Sequence, residues 1–405
     1  MNSQEEKIRV AWQHPIIPNY RVPYLEKLAN VPDVEVTSFH GQGLDGYTTK
    51  SVGSIPSVKN ILVKNRYWAF GRGRIFWQSA VRKIIKGKFD VIVCEEVIHN
   101  ASVWMLWLFA QITNTPLVLH GFGYRPVSGM SYHRKTQPSL RQHFIDRLRF
   151  FMIKRASAIA VYTEKGKEAC IQEGIQSHKI FVTKNTYDTE YLMGLEQSVT
   201  SQELDSITQK LNLTDRFVLI FVGRLNPLKR VSLLIDVMRK LDKSSLQASL
   251  LVVGEGIEYQ PLVKQSQGLA HVHFLGGIHE PIELAKLFMI SHALVIPGLP
   301  GLTCVHGFCY GVPTITTAPV NLRWPECPEL DYIRHGVNGY FVAKPDCQLF
   351  CDAIMYLADD KQRLQKFSTG ARETAKSLPL RETVAQFRKA VKFAFNGIQN
   401  KALVS

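Results

Sequence analysis

The chain has 405 residues, 45% hydrophobic and 20% charged, which is too long for one typical domain and enough for two with real cores. Its net charge is +15, and seven cysteines at irregular spacing argue against a disulfide framework. Acids precede the first basic residue and no apolar h-region follows, so no signal peptide is expected; the most apolar segment, 101–112, is too short to span a bilayer and holds Gln111. The expectation is a cytosolic, reduced protein with 101–112 as a buried helix.

In chain order, residues 8–13 read as a strand, 19–29 as a helix, 34–40 as a strand and 41–65 as loop-rich chain. Apolar residues at helical spacing predict a helix over 76–87. Then follow a strand over 90–96, a helix over 102–113, a strand over 116–121, a long helix over 140–156, and strands at 158–163 and 179–185. Alternation of this kind predicts a parallel sheet with helices on both faces. His120, in VLHGFGY, ends a strand before glycines. Residues 1–190 carry +11 of the net charge. Between Asp45 and Asp90 there is no acid but ten bases, among them Lys50, Arg72, Arg74, Arg82 and Lys83. Tyr67, Trp68, Phe70, Phe76 and Trp77 are interleaved with them. Such a stretch suits an anionic membrane, a nucleic acid or a phosphate-bearing substrate, as well as a merely solvated basic surface.

A polar segment, 196–208, separates the halves, and the strand–helix rhythm restarts at an apolar run, 217–222. That strand ends at Gly223 and Arg224. A Pro-containing turn then brings Lys229 to the start of a helix over 231–241. Two fixed cations at the carboxyl end of a strand sit where open α/β sheets bind anions, and a diphosphate can use both the planar fork of Arg and the point charge of Lys. Residues 248–256 form a strand running into a GEG turn, 272–278 a strand and 281–291 a helix. After a strand over 293–298, the stretch Pro297-Gly298-Leu299-Pro300-Gly301-Leu302-Thr303 leads into a helix; free N–H groups at such a start favour anions. Strands at 313–317 and 340–343 and two closing helices complete the half. Cys304/Cys309 and Cys347/Cys351 each share a helix face, for which core packing is preferred over metal. His271 and His273 lack a third ligand, and no Asp-x-Asp pair is present.

Taken in order, GRLNPLK (223–229), LLVVGEG (250–256), FLGGI (274–278), the loop and helix 297–315 and PELDYIRHGVNGYFV (328–342) resemble the carboxyl-terminal domain of glycosyltransferase family 4 (group 1), the retaining GT-B enzymes. The first half matches only in rhythm, in Pro-x-Tyr-Arg at 18–21 and in His120. The resemblance implies a GT-B fold, with two doubly wound Rossmann-like domains facing across a cleft. Residues 1–190 would bind the acceptor, 191–377 the nucleotide sugar, and 378–405 would form a helix crossing back to the first domain. It implies transfer of a sugar from a UDP- or GDP-linked donor, with retention of configuration and with neither resident cofactor nor metal. Arg224, Lys229 and His120 would be catalytic; Gly223, Gly254, Ile278, Gly301, Leu302, Thr303, His306 and Glu329 would bind the donor. Where the family usually carries two glutamates eight residues apart, this chain has Gly298 and His306, a variant form similar to a branch of bacterial surface-polysaccharide transferases. His306 can still hydrogen-bond a ribose. The expected acceptor is a glycan, lipid-linked as in O-antigen or capsule assembly. The protein would be peripheral on the cytoplasmic face of the inner membrane, held by the basic aromatic stretch and by helix 140–156, which adds Arg141, Arg147, Arg149, Lys154 and Arg155 beside Phe144, Phe150 and Phe151. No nucleic-acid partner is expected. The competing reading is a catalytically inactive GT-B module that binds a nucleotide sugar or a polyanion.

Overall fold

A computed structural model of the chain describes residues 7–43, 51–70, 73–124, 140–320 and 327–402; Lys50 and Arg72 of the basic stretch lie outside them. The residues group into two compact units, one running up to Asn185 and resuming at Leu380, the other comprising Thr186–Pro379.

The first unit runs β1 (Ile8–His14), α1 (Val22–Ala29), β2 (Val34–His40), β3 (Lys59–Leu62), β4 (Asn65–Phe70), β5 (Gly73–Gln78), α2 (Ala80–Lys86), β6 (Val91–Glu95), α3 (Ala101–Thr113), β7 (Leu117–Gly121), α4 (Leu140–Lys154), β8 (Ala158–Val161), α5 (Glu164–Gln172) and β9 (Ile180–Val182). Seven strands form one parallel sheet in the order β3-β2-β1-β6-β7-β8-β9. Its central strands are mostly buried because helices cover both faces, with polar residues gathered towards their carboxyl ends. The order reverses between β1 and β6, and the carboxyl ends of strands at such a switch point open a crevice.

Three expectations are corrected here. Residues 76–87 are not one helix: Phe76, Trp77 and Gln78 end β5, which pairs antiparallel with β4, and the helix starts at Ala80. Aromatic residues favour a pleated cross-strand fit, and Tyr67 lies opposite Phe76 with ring centroids 5.4 Å apart. The loop-rich segment 41–65 contains β3, an edge strand on β2. The helix over 101–112, expected to be buried, is buried on one side only.

The second unit runs α6 (Thr189–Gly194), α7 (Ser201–Lys210), β10 (Phe217–Val222), α8 (Val231–Leu241), β11 (Ala248–Val253), α9 (Tyr259–Gln265), β12 (Val272–Gly276), α10 (Pro281–Met289), β13 (Ala293–Ile296), α11 (Thr303–Cys309), β14 (Thr314–Thr317), β15 (Gly339–Val342), α12 (Cys347–Ala358) and α13 (Lys361–Lys376). Its parallel order is β12-β11-β10-β13-β14-β15, with the switch point between β10 and β13. The polar segment 196–208 is not a bare separator. Thr200 and Glu203 form a capping box that starts α7.

The last helix, α14 (Leu380–Ala402), belongs to the first unit. Phe387 is fully buried and stacks on Trp12 with centroids 4.3 Å apart. Arg388 and Lys392 donate to the Asp33 carboxylate at 2.6–2.8 Å. Burial opposes the Asp33 charge, but these hydrogen bonds outweigh it and hold the carboxyl well below its usual range. Both units are therefore doubly wound, Rossmann-like α/β layers. Among the described residues no helix is long and apolar enough to cross a membrane.

Candidate active site

The second unit places its sequence-predicted cations at its switch point. β10 delivers Gly223, and the loop behind it is laced to the end of β11: Gly223 N donates to the Val253 carbonyl at 3.0 Å and Leu225 N to the Glu255 carbonyl at 2.8 Å. The lacing explains Gly254. A Cβ there would stand 1.9 Å from the Gly223 carbonyl oxygen, so the backbone approach alone demands glycine.

Lys229 returns the loop to Gly223. Its Cε is 3.5 Å from where a Gly223 Cβ would lie, and its Nζ donates to the carbonyls of Leu299 (2.6 Å) and Pro300 (3.2 Å) in the loop after β13. A Cβ on Gly301 would lie 3.6 Å from the same Nζ. Burial lowers the Lys229 pKa, opposed by Cys327, Glu329 and Cys304 around it. Glu329 is buried at the start of a short 3-10 turn, and the Cys304 thiol donates to the Gly301 carbonyl at 3.2 Å. Leu302 is buried and Thr303 begins α11. Arg224 follows Gly223 half-buried, and among the described residues its guanidinium makes no hydrogen bond. One ammonium thus joins the ends of two neighbouring strands, beside a second cation and the start of a helix. Together these groups can hold two phosphates and neutralise charge developing on them.

Two expected donor-binding residues stand apart from this group. Ile278 is half-buried just beyond the edge strand β12, two strands from β10. His306 lies in the interior of its unit, 7% exposed, with its ring among Phe288 (4.9 Å), Tyr187 (5.3 Å) and Tyr310 (5.8 Å). Its Nε2 has no partner among the described residues, and burial lowers its pKa to about 4. The geometry makes it a packing residue of α11.

The switch point of the first unit holds a second cluster, of which sequence reasoning found only His120. Glu95 ends β6, and its Oε1 lies 3.4 Å from His14 Nδ1, 3.6 Å from His120 Nδ1 and 4.0 Å from Arg21 Nη1. Tyr162 joins these groups, accepting from Arg21 at 2.9 Å and approaching Glu95 Oε2 at 3.4 Å. Burial would raise the Glu95 carboxyl; Arg21 and the two imidazoles outweigh it and hold it well below the usual carboxylate range. Burial lowers both histidines against the pull of Glu95, His14 to about 4. Both imidazole side chains are only 2% exposed and enclosed by Trp12 and, at His120, Tyr162, whereas Glu95 and Arg21 are 15% and 14% exposed. The open members of the cluster are therefore Glu95 and Arg21, with His120 behind them. Each of His14, Glu95 and His120 sits at or next to the carboxyl end of its strand, a signal that was readable at Glu95 and His14 as well as at His120.

Residues 204–374, within the second unit, match the family model of glycosyl transferases group 1. Among curated proteins the chain is similar to an uncharacterized glycosyltransferase of Methanocaldococcus jannaschii, 23% identical over 274 residues covering 59% of this chain and 64% of that one. It is also similar to the D-inositol 3-phosphate glycosyltransferase of Thermobispora bispora, 27% identical over 171 residues covering 39% and 38%. The matched region thus spans less than two thirds of either relative. Among solved structures, Anabaena HepE in complex with UDP superposes with a TM-score of 0.68 at 17% identity, covering 95% of this chain and 99% of that one; its complex with UDP-glucose gives 0.65. The fold is that of the GT-B glycosyltransferases, and residues 204–374 are similar to the group 1 glycosyl transferases.

Proposed function

We propose that the protein transfers a sugar from a nucleotide sugar, UDP- or GDP-linked, to a glycan acceptor, with the second unit holding the donor and the first the acceptor. The observation that carries this reading is the Lys229 ammonium, which bridges the loops after β10 and β13 at the switch point. Arg224 and Lys229 stabilise the departing diphosphate as its charge develops, and backbone N–H groups of Gly301, Leu302 and Thr303 hold its distal phosphate. The configuration is retained by front-face attack, the leaving phosphate oxygen taking the acceptor proton, so no protein nucleophile takes part. Glu95 and Arg21, backed by His120, orient the acceptor hydroxyl. The acceptor is a lipid-linked glycan of envelope polysaccharide assembly, and the protein works peripherally on the cytoplasmic face of the inner membrane. The concentration of positive charge in residues 1–190 supports that setting.

UDP-glucose is the first donor to test, since HepE has been solved with it. At 100 times its Kd it adds about 2.7 kcal/mol to stability, read as a thermal shift. Labelled donor then reports transfer, and the anomeric configuration of the product reports retention. A competing reading, an inactive module, is favoured by Gly298, where a catalytic side chain is absent. Stabilisation by the donor with neither transfer nor hydrolysis would establish that reading.

A further inference from the structure

α3 carries no charged residue and is apolar round its whole circumference, a pattern that belongs in an interior. Instead it lies on the surface of the first unit. Val103, Leu106 and Ala110 are buried, while Met105 (45%), Leu108 (47%) and Ile112 (72%) are exposed, and their spacing of three and four residues puts them on one face. α4 runs alongside. Trp107 meets Phe151 with ring centroids 5.6 Å apart, and the Gln111 side chain donates to the Arg155 carbonyl. The outward face of α4 continues the pattern with Phe144 (62%) and Phe151 (43%). Arg147, Lys154 and Arg155 are exposed at positions on that same face, and the Arg155 guanidinium lies 3.9 Å over the Phe151 ring. Neither helix exposes a carboxylate: α3 has none, and Asp146, the one acid of α4, is half-buried.

We infer that this two-helix face docks on an anionic lipid surface, its apolar side chains entering the headgroup boundary and its cations meeting lipid phosphates. Charge decides the occupant. A second copy of the chain would set three cations against three, and the cores of protein interfaces are depleted of charge. Large apolar side chains mixed with cations and free of acids match a negatively charged leaflet. The inference deepens the reading of a lipid-linked acceptor and rests on it only for the choice of lipid. It places the contact on α3 and α4 rather than on the basic stretch before Asp90.

The test is sedimentation with vesicles of phosphatidylcholine, with and without phosphatidylglycerol. The protein should pellet with the anionic vesicles and be released by salt. The combined variant Leu108→Ser, Ile112→Ser, Phe144→Ser should lower partitioning more than about tenfold, since one large buried apolar side chain is already worth that factor. Arg147→Ser with Lys154→Ser should abolish the preference for phosphatidylglycerol, and Arg82→Ser with Lys83→Ser should change little. Circular dichroism checks folding of each variant. Thermal shifts with a panel of UDP- and GDP-sugars read the donor site separately, so shifts missing throughout overturn the donor reading and leave this one standing. Recovery of the wild type in the supernatant, pelleting of the apolar variant like wild type, or a dimer that becomes a monomer in that variant would each overturn the lipid assignment.

Discussion

The carbonyl oxygen of Leu228 lies 1.9 Å from the point where a Cβ on Gly298 would stand. Gly298 N donates to the Lys229 carbonyl at 3.1 Å and Leu299 N to the Leu228 carbonyl at 3.2 Å, so the two loops of the switch point are clasped backbone to backbone. This is the position where the resembling family usually has a glutamate. Here the chain itself fills the space a side chain would need.

Restoring that glutamate should therefore not restore a family-like site. Gly298→Glu and Gly298→Ala should each destabilise the protein by about 1–3 kcal/mol, the scale of overpacking, and neither should raise turnover. Urea denaturation and donor turnover check this; a stable, faster Gly298→Glu variant would show that the clasp parts readily.

Lys229→Met and Arg224→Ala should each reduce turnover by roughly 10²–10³-fold, the scale of losing one preorganised charge donor. Their stabilities should differ. Lys229→Met strips the Leu299 and Pro300 carbonyls of a charged donor and should cost about 1.5–3 kcal/mol. Arg224→Ala should cost less than about 1 kcal/mol. Steady-state kinetics beside denaturation separates the two effects.

His306 gives a pH dependence whose sign is set by burial. Its folded pKa of about 4 lies below the ordinary 6.5, so the unfolded chain binds the proton first. Stability is complete above about pH 6.5 and falls as pH drops towards 4. At pH 4.5 the loss from this one group is roughly 2.5 kcal/mol. His306→Phe keeps a ring among Tyr187, Phe288 and Tyr310 and removes the titration. The variant should lose less stability than wild type between pH 7 and 4.5 by about that amount, while its donor KM stays near wild type. A large rise in KM would instead assign His306 to the ribose.

Glu95→Gln removes the charge that faces Arg21, His14 and His120. Breaking a buried pair on one side should destabilise the protein by about 3 kcal/mol. Acceptor-dependent turnover should fall in the folded variant, with the UDP-glucose thermal shift retained. His120→Asn should do less, because its ring is enclosed. Equal losses in both variants would return the leading role to His120.

Much of the site was legible where function and local pattern coincide. A buried strand that ends in Gly223-Arg224, and a lysine at the next helix, mark a candidate anion site in the sequence alone. The strand-end position of Glu95 was readable too, but not its role, because an acid at a strand end reads like any other until its neighbours are known. The surroundings of His306 were not legible, because a motif position says which residue stands there, not which way its ring turns; its ring packs against Phe288 and Tyr310. The segment 101–112 was assigned to the interior by its apolarity, and its outer face contradicts that assignment.

The sequence by itself determined the two-fold run of strands and helices, since apolar runs of strand length that alternate with helical patterns are buried by a parallel sheet covered on both faces. It also determined the cations at the end of β10. Only the tertiary structure decided that β1 lies beside β6 and β10 beside β13. Strand order follows from how the crossovers pack, not from any spacing along the chain. That order brings Glu95 to His14 and His120, and Lys229 to the carbonyl of Leu299, 70 residues away.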